Sequence, residues 1–389
     1  MSSVTGRLSL NSTNRLKLGI FGSNLSSGKN ATLAPERWHA TWDENQRLAQ
    51  MADDFGFEFF LPIGRWRGFG GETGYQEAGF ETVTWATGLL VATKQITVFA
   101  TIHAPLFHPV VAAKMMTTAD QAGHGRFGLN IVCGHNEDEF AMFGVPVFEN
   151  AQRYEHGQEW ITIVKRLWSE SDDFNFNGKY FQLKAVRSKP KPYGDAMPII
   201  LNAARSEAGQ AFAVRNADAF FTSTKSSQFD EKTGIVTPDL AEVHGNLQRV
   251  RAKADAVGRK IGVYTNVNVI CRPTQKESID YFRYALEEQA DWGAVDEYLQ
   301  KAMGATKDLN SPEYMQKRMA MIRQFPLIGD PDRVAGMLID LHEAGFDGVG
   351  FTFVNYIDEL PYFQQEVVAR LERAGLRVPA GRTAETVNA

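Results

Sequence analysis

The chain has 389 residues, of which 43% are hydrophobic and 22% are charged, and these ordinary globular proportions exclude a disordered or collagen-like chain. Its net charge of −5 does not favour nucleic acid or an anionic membrane as a partner, although a local basic pocket for one phosphate is compatible with it. Two cysteines cannot form a disulfide framework, which favours a reducing cytoplasm, and the N-terminal segment lacks an apolar run long enough for a signal peptide or membrane span.

Short apolar runs alternate along the chain with helix-length amphipathic segments. Apolar runs that are bounded by turns and separated by helices are typical of buried parallel strands. Eight such units predict a closed (β/α)8 TIM barrel, an α/β fold, rather than an open sheet. The helical pattern is clearest at 239–257 and at 332–344, where Asp330 suits the N-cap and Pro331 the first helical position. The predicted strands are 16–21, 57–61, 96–101, 126–132, 198–202, 219–222, 262–271 and 348–353.

A barrel of this kind needs roughly 250 residues, so the rest of the chain is expected in insertions and tails. We predict a flexible N-terminal tail at 1–14, a single barrel domain at 15–375 and a C-terminal tail at 376–389. One insertion is expected near 140–197, where NFNGKYFQLKAV indicates a small hairpin. The other is expected near 272–327, which is helical in composition but poorly periodic.

Active sites of this fold lie at the carboxyl ends of the strands, so the loops that follow the strands are the places to look. PIGRWRGFGGETGYQ follows the second strand and combines five glycines with arginine and aromatic residues, starting at Gly64 and Arg65. Such a loop can approach a planar ligand closely, and an ordinary surface loop is the alternative. It is not a phosphate-binding P-loop, because the GxxxxGK[ST] pattern is absent.

Two histidines, His103 and His108, follow the third strand and are five residues apart. They are candidates for moving protons, and the alternative is that they cap the next helix or pack at the barrel mouth. No acidic residue or third histidine accompanies them at ligand spacing, so no metal site is predicted.

The fourth predicted strand, in GRFGLNIVCGHNEDEF, carries an amide inside an apolar run. Asn130 costs free energy there unless it is paired or faces a ligand. Cys133 at the strand end is expected to be a small buried hydrophobe rather than a nucleophile. Among the three acidic residues that follow, Glu139 is best placed to face the pocket, and favourable charge at a helix N-terminus is the alternative.

Small residues and Ser206 follow the fifth strand and lead into a helix. Free backbone N–H groups at a helix start favour phosphate, so this segment is a candidate anion site, with an ordinary N-cap serine as the alternative. Arg153 and Tyr154 in the first insertion can supply a guanidinium and a hydroxyl to the same phosphate. A further polar loop follows the sixth strand at 223–227.

Several well-known catalytic signatures are missing from the sequence: GxSxG, HExxH, the kinase motifs, a CxxC pair and a GxGxxG after the first strand. A Phe-rich barrel with a phosphate site and no evident nucleophile indicates that a cofactor carries out the chemistry.

Taken together, these motifs resemble the bacterial-luciferase-like superfamily of flavin-dependent monooxygenases, from the first strand to the last helix. Within it they look most like the pyrimidine monooxygenase group. RGFGGETGYQEAGFET is similar to that group's RGFGG loop and following helix, and GRFGLNIVCGHNEDEF is similar to its fourth-strand motif. QRY at 152–154 and ARSEAGQAF at 204–212 are similar to two further motifs of the group.

The resemblance implies a two-component enzyme with the barrel fold already derived. Such an enzyme receives reduced FMN from a separate NAD(P)H:flavin reductase, binds O2 as co-substrate and forms a flavin peroxide, on N5 in the pyrimidine group. The resemblance also implies a homodimer or homotetramer. The residues that it places along the flavin are Gly64, Arg65, Asn130 and Glu139.

The same resemblance implies that Arg153, Tyr154 and Ser206 hold the FMN phosphate. It further implies that Thr101 and Asn130 flank the site of O2. These assignments agree with the residue-by-residue reading of Asn130 as an amide that needs a partner and of Ser206 as an anion site.

Two departures from the group's pattern concern the substrate pocket. His135 replaces the usual aromatic residue, and HAPLFHP replaces a segment richer in hydroxyl groups, so the substrate stays open. His103 or His135 is a candidate acid toward a leaving group. We expect oxidative cleavage of a C–N or amide-type bond in a nitrogen heterocycle, pyrimidine-like or flavin-like. The alternatives are C–S cleavage of a sulfone or sulfonate, a reductase that uses the deazaflavin F420, and a non-catalytic flavin-binding protein.

Overall fold

The structure is a computed structural model that describes residues 9–134, 136–204, 206–222, 227–230, 235–323 and 326–379. Eight parallel strands follow one another around a closed barrel, and strand β11 closes the ring by pairing with both β8 and β13. The predicted TIM barrel is therefore confirmed. The barrel strands are β1 (Lys17–Phe21), β2 (Phe59–Leu61), β3 (Thr97–His103), β4 (Phe127–Val132), β7 (Ile199–Ala203), β8 (Ala219–Phe221), β11 (Gly262–Cys271) and β13 (Gly348–Thr352).

The helices surround the barrel, and several begin where the sequence predicts. Asp330 caps α11 by accepting a hydrogen bond from the backbone N–H of Arg333 at 2.9 Å, and Pro331 is its first residue. No helix among the described residues is long and apolar enough to cross a membrane. The helices are α1 (Trp42–Asp54), α2 (Thr82–Ala92), α3 (Pro109–Ala122), α4 (Glu137–Met142), α5 (Asn150–Ser169), α6 (Glu207–Asn216), α7 (Leu240–Asp255), α8 (Gln275–Phe282), α9 (Trp292–Met303), α10 (Pro312–Arg323), α11 (Pro331–Glu343), α12 (Tyr356–Phe363) and α13 (Ala369–Arg373).

The barrel interior is filled by aromatic rings that lie against glycines of neighbouring strands. A Cβ atom added to Gly19 would lie 2.4 Å from the ring of Phe59, and one added to Gly348 would lie 2.4 Å from the ring of Tyr264. Such distances are far inside van der Waals contact, so these positions need glycine. These rings belong to a cluster of buried residues inside the barrel, and active sites of this fold lie at its carboxyl-end mouth.

Two insertions interrupt the barrel. The first carries the antiparallel hairpin β5 (Phe174–Asn177) and β6 (Gln182–Val186). The second carries α8, α9 and α10 and also strand β12 (Pro326–Gly329), which pairs in parallel with the upper part of β11 outside the ring. β12 is not among the predicted strands. A second hairpin, β9 (Ser227–Asp230) with β10 (Ile235–Pro238), follows β8.

Parts of both predicted tails pack on the barrel. Leu10 is buried, and the Glu58 carboxylate of the loop before β2 accepts a hydrogen bond from the Ser12 hydroxyl at 3.0 Å. On its other oxygen, Glu58 pairs with Arg377 at 2.8 Å, and both side chains are almost completely buried. The two ends of the described chain therefore meet at this ion pair.

Candidate active site

A line of hydrogen bonds at the barrel mouth joins the ends of three neighbouring strands. The amide nitrogen Nδ2 of Asn130 donates to Thr101 Oγ1 at 3.0 Å, and the Thr101 hydroxyl donates to the carbonyl of Pro62 at 2.6 Å. Asn130 and Thr101 are paired in register on β4 and β3. The buried oxygen Oδ1 of Asn130 has no hydrogen-bond partner among the described residues. The prediction that this amide faces a ligand gains support, because an unpaired buried acceptor is costly.

Gly64 lies directly against this pair. A Cβ atom there would be 2.9 Å from Thr101 Cγ2 and 2.9 Å from His103 Cε1. The loop after β2 thus brings bare backbone next to the Thr101 and His103 side chains. His103 is buried at the end of β3, on the inward side of the barrel like Thr101.

Glu139 joins the glycine-rich loop to α4. Its side chain is fully buried, and Oε1 accepts hydrogen bonds from Arg65 Nη1 at 3.2 Å and from the backbone N–H of Trp66 at 2.9 Å. A longer contact, 3.4 Å, reaches the N–H of Arg67. The other oxygen, Oε2, has no partner among the described residues. Glu139 therefore holds the glycine-rich loop and does more than place charge at a helix N-terminus, while its place beside the pocket stays a prediction.

Two of the predicted phosphate residues, Tyr154 and Ser206, come together where α5 passes the start of α6, and Arg153 precedes Tyr154 on α5. Arg153 Nη1 donates to the carbonyl of Gly134 at 3.0 Å, while its buried Nε has no partner among the described residues. The Tyr154 hydroxyl lies 3.3 Å from Ser206 Oγ, which also caps α6 by accepting from the N–H of Gly209 at 3.2 Å. Both predicted roles of Ser206, the N-cap and a member of an anion site, are compatible with this geometry.

Gly209 keeps this corner open. A Cβ atom there would lie 2.4 Å from the Tyr154 hydroxyl oxygen. A backbone N–H at a helix start, two hydroxyls and a guanidinium make an electropositive cradle that suits a phosphate.

Cys133, which lies close to this cradle, is not a nucleophile. Burial raises the pKa of its thiol to about 12, and the nearby Arg153 guanidinium only partly offsets this. At neutral pH the thiol stays protonated, which makes it unreactive. The prediction of a small buried hydrophobe is therefore supported.

The two histidines after β3 have separate surroundings. His108 is exposed and caps α3, since its ring Nδ1 accepts from the N–H of Val110 at 3.3 Å. His103 is at the barrel mouth. No group of metal-binding side chains occurs in the part of the chain that the structure describes. His135 and the polar residues 223–226 lie outside the described residues.

Aromatic residues that sequence reasoning missed line the rim of the mouth. The rings of Trp66 and Phe143 are 5.0 Å apart at a steep angle, and those of Trp66 and Phe107 are 6.2 Å apart. Phe107 and Phe143 come shortly after β3 and α4, and this position in the loops at the barrel mouth is what could have identified them from the sequence. Asn266 and Asn268 in β11 were also missed, although they carry the signal that identified Asn130, an amide inside an apolar strand.

Comparison of the whole chain with known proteins finds relatives among luciferase-like and FMNH2-dependent monooxygenases. The sequence model of luciferase-like monooxygenases matches residues 16–348. The pyrimidine monooxygenase RutA of Acinetobacter baylyi is 28% identical over 362 residues, which cover 90% of this chain and 94% of that protein. The FMNH2-dependent dimethylsulfone monooxygenase of Pseudomonas fluorescens is 29% identical over 379 residues, covering 95% and 98%.

Solved structures agree on the fold. The riboflavin lyase RcaE, crystallised with modified FMN and riboflavin, superposes with a TM-score of 0.80 at 20% identity, covering 95% of this chain and 94% of that one. The long-chain alkane monooxygenase LadA gives a TM-score of 0.80 at 19% identity, covering 95% and 94%. These likenesses confirm the barrel fold.

Proposed function

The chain belongs to the luciferase-like monooxygenase family, and from this we propose that it is a two-component, FMN-dependent monooxygenase. It takes reduced FMN from a separate NAD(P)H:flavin reductase and uses O2 as co-substrate. The proposed reaction is oxidative cleavage of a C–N or amide-type bond in a nitrogen heterocycle, pyrimidine-like or flavin-like. The relative that acts on pyrimidines and the relative named as FMNH2-dependent both support this proposal.

The residues at the mouth fit FMN, and the observation that carries this is a set of unsatisfied buried atoms. Asn130 Oδ1, Glu139 Oε2, Arg65 Nε and Arg153 Nε are buried without partners among the described residues. Buried polar atoms in folded proteins are nearly always paired, so these atoms point to a polar ligand. The carboxamide and Glu139 suit the polar edge of an isoalloxazine ring, and Arg153 suits a phosphate.

We assign the phosphate to Arg153, Tyr154 and Ser206. The free Nε of Arg153 would donate a charge-assisted hydrogen bond to the phosphate, while its Nη1 stays on the Gly134 carbonyl. Ser206 holds the start of α6 in place, so that its backbone N–H groups and positive dipole end face the anion. The ring would lie along the loop that begins at Gly64 and Arg65, and the bare backbone at Gly64 lets this loop pack directly against Thr101 and His103.

Reduced FMN, when bound, supplies the electrons for the activation of O2. The chain's own residues prepare the place of reaction. Thr101 donates its proton to Pro62, so its oxygen accepts from Asn130 and fixes the orientation of that amide beside the flavin. The role proposed for His103, which is buried next to Gly64, is to give a proton to a leaving nitrogen. For His135, which lies outside the described residues, the same role as a proton donor is proposed from the sequence alone.

A second candidate reaction is C–S cleavage of a sulfone. Two dimethylsulfone monooxygenases, from Pseudomonas fluorescens and Pseudomonas putida, are both 29% identical to this chain and support it. Assays with chemically reduced FMN, O2 and either uracil or dimethyl sulfone separate the two reactions by their products. Consumption of neither substrate, together with hydride transfer from F420, would overturn the monooxygenase proposal.

Asn130→Ala tests the proposed site directly. If the amide serves O2 beside the flavin, the variant still binds FMN, with an affinity about tenfold lower for the lost hydrogen bond, while substrate-dependent O2 uptake falls by about a hundredfold or more. Turnover at the wild-type rate would refute the assignment. Asn310→Ala, in the exposed loop between α9 and α10, is the matched control that leaves both quantities unchanged.

We also propose a homodimer or homotetramer in a reducing cytoplasm. The support for this is the resemblance to the family, and the adjacent helices α2 and α3 each expose a valine, Val91 to 70% and Val111 to 53%, as a candidate contact of a second copy. Both cysteines are free thiols, in keeping with the proposed compartment. Light scattering of the purified protein tests the oligomeric state, and a mass equal to that of one chain at micromolar concentration would refute it.

A further inference from the structure

Strand β11 alternates between the two faces of the barrel wall. Val263 and Val267 pack in the layer between the strands and the helices, whereas Tyr264 packs inside the barrel. Successive side chains of a strand point to opposite faces, so Asn266 points inward as Tyr264 does. Its register partner on β13 is Gly350, which has no side chain to cover it.

Asn266 differs from its neighbours in burial. Residues 263–265 and 267–271 of β11 are buried, while Asn266 is half-buried even though the strand is flanked on both sides. Since the side chain points inward, its exposed part faces the space at the barrel mouth. No described residue forms a hydrogen bond with its carboxamide, in contrast to Asn268, which bonds to Asn30 at 2.7 Å and to Thr352 at 3.2 Å.

Aromatic rings border Gly350, the register partner of Asn266. Phe21 and Phe221 face each other inside the barrel with centroids 5.2 Å apart, and the nearby Phe59 lies edge-on to Tyr264 at 5.7 Å. A Cβ atom on Gly350 would lie 3.2 Å from Phe21 Cβ, so the bare backbone beside Asn266 borders these rings. An amide among flat apolar surfaces suits a planar ligand that has polar edges.

We infer that Asn266 is a specificity residue of the proposed monooxygenase, one that recognises a planar substrate carrying an N–H group next to a carbonyl, as a cyclic amide or imide does. This inference rests on the proposed function. A carboxamide donates and accepts at once, so it pairs at two points with such an edge. A sulfone offers oxygen acceptors alone and leaves the carboxamide oxygen of Asn266 unpaired, which a desolvated site penalises.

The test uses the full chain loaded with oxidised FMN, in which no turnover occurs. Isothermal titration with uracil, lumichrome and dimethyl sulfone is compared between the wild type, Asn266→Asp and Asn266→Leu. Aspartate keeps the size and the acceptors but loses the N–H donor, and leucine loses both. We expect the wild type to bind uracil or lumichrome, with affinity falling about tenfold or more in Asn266→Leu. Binding of dimethyl sulfone is expected to change less than threefold.

Two results would overturn the inference: Asn266→Leu binding the cyclic imides as tightly as the wild type, or the wild type binding dimethyl sulfone and neither imide. Binding of none of the three probes would also overturn it. Failure of this inference can be told apart from failure of the proposed function. If the proposed function fails, flavin fluorescence titration shows no FMN binding or the protein takes up no O2 with reduced FMN. In turnover, Asn266→Asp is expected to raise KM with kcat changed less than threefold, and Asn310→Ala is again the control.

Discussion

Replacement of Glu139 by glutamine tests whether this carboxylate organises the glycine-rich loop. Its Oε1 accepts from the Arg65 guanidinium and from two backbone N–H groups, and Arg65 and Glu139 are only 15% and 1% exposed. Hydrogen bonds to charged groups contribute about 1.5–3 kcal/mol each, and the glutamine keeps one acceptor oxygen for the backbone. We therefore expect the free energy of unfolding to fall by about 2 kcal/mol, mainly because the half-buried Arg65 loses its counter-charge. Alanine, which removes all three contacts, is expected to cost about 3–5 kcal/mol.

Urea unfolding followed by circular dichroism measures these free energies, and FMN titration measures the consequence for the site. Glu137→Gln is the matched control, because Glu137 lies on the same first turn of α4 but is exposed. If Glu139 acted merely as a charge at a helix N-terminus, both glutamine variants would cost the same, about 0.3–1 kcal/mol. Equal losses in the two variants would refute the loop-organising role.

Three further predictions concern the phosphate cradle, the thiols and a buried histidine. Gly209→Ala puts a methyl group 2.4 Å from the Tyr154 hydroxyl oxygen, so the affinity for FMN should fall by about tenfold or more, whereas the affinity for riboflavin, which lacks the phosphate, should fall less than about twofold. Gly336→Ala is the control, because its methyl group meets open space. Equal losses of affinity for the two flavins would contradict the phosphate assignment. Burial raises the pKa of both cysteines to about 12, so about one thiol in ten thousand is ionised at pH 8, and Ellman's reagent should label the protein no faster than it unfolds. Burial among aromatic rings lowers the pKa of His156 below 6.5, which means that the unfolded chain takes up the proton first as the pH falls. The free energy of unfolding should therefore decrease as the pH falls below about 6.5, and it should decrease less in His156→Phe than in the wild type. Urea titrations at pH 7.5 and 5.5 measure this decrease, and the same decrease in both proteins would contradict the role of His156.

Sequence patterns were sufficient to predict the barrel because the alternation of apolar runs and amphipathic helices is repeated along the chain and follows from burial. Each of the eight strands is a buried apolar run, and helix ends such as Asp330-Pro331 follow from cap chemistry. Strand β12 escaped prediction because it has four residues, PLIG, and obtains its strand character from pairing with β11 rather than from its own pattern. Local sequence does not contain that tertiary contribution.

The candidate site likewise contains residues that the sequence pattern indicates and contacts that it does not. Asn130 was identifiable because an amide in an apolar strand needs a partner, and the structure leaves its oxygen unpaired. The same rule applied to β11 would have identified Asn266. What sequence alone could not provide was the partnership of Glu139 with the loop some seventy residues earlier, since long-range hydrogen bonds depend on how the strands close. The aromatic rim of Trp66, Phe107 and Phe143 depends on the same closure.

The ion pair between Glu58 and Arg377 has a consequence for the order of assembly during synthesis. The carboxylate next to β2 emerges from the ribosome more than 300 residues before the guanidinium that neutralises it. Until Arg377 is available, the barrel wall next to β2 carries an unpaired charge whose burial costs free energy. The first strands therefore cannot reach their final, water-excluding packing alone. We expect nascent chains that stop before position 377 to remain open to proteases around the first two strands, and maturation to be completed when the last helix has docked.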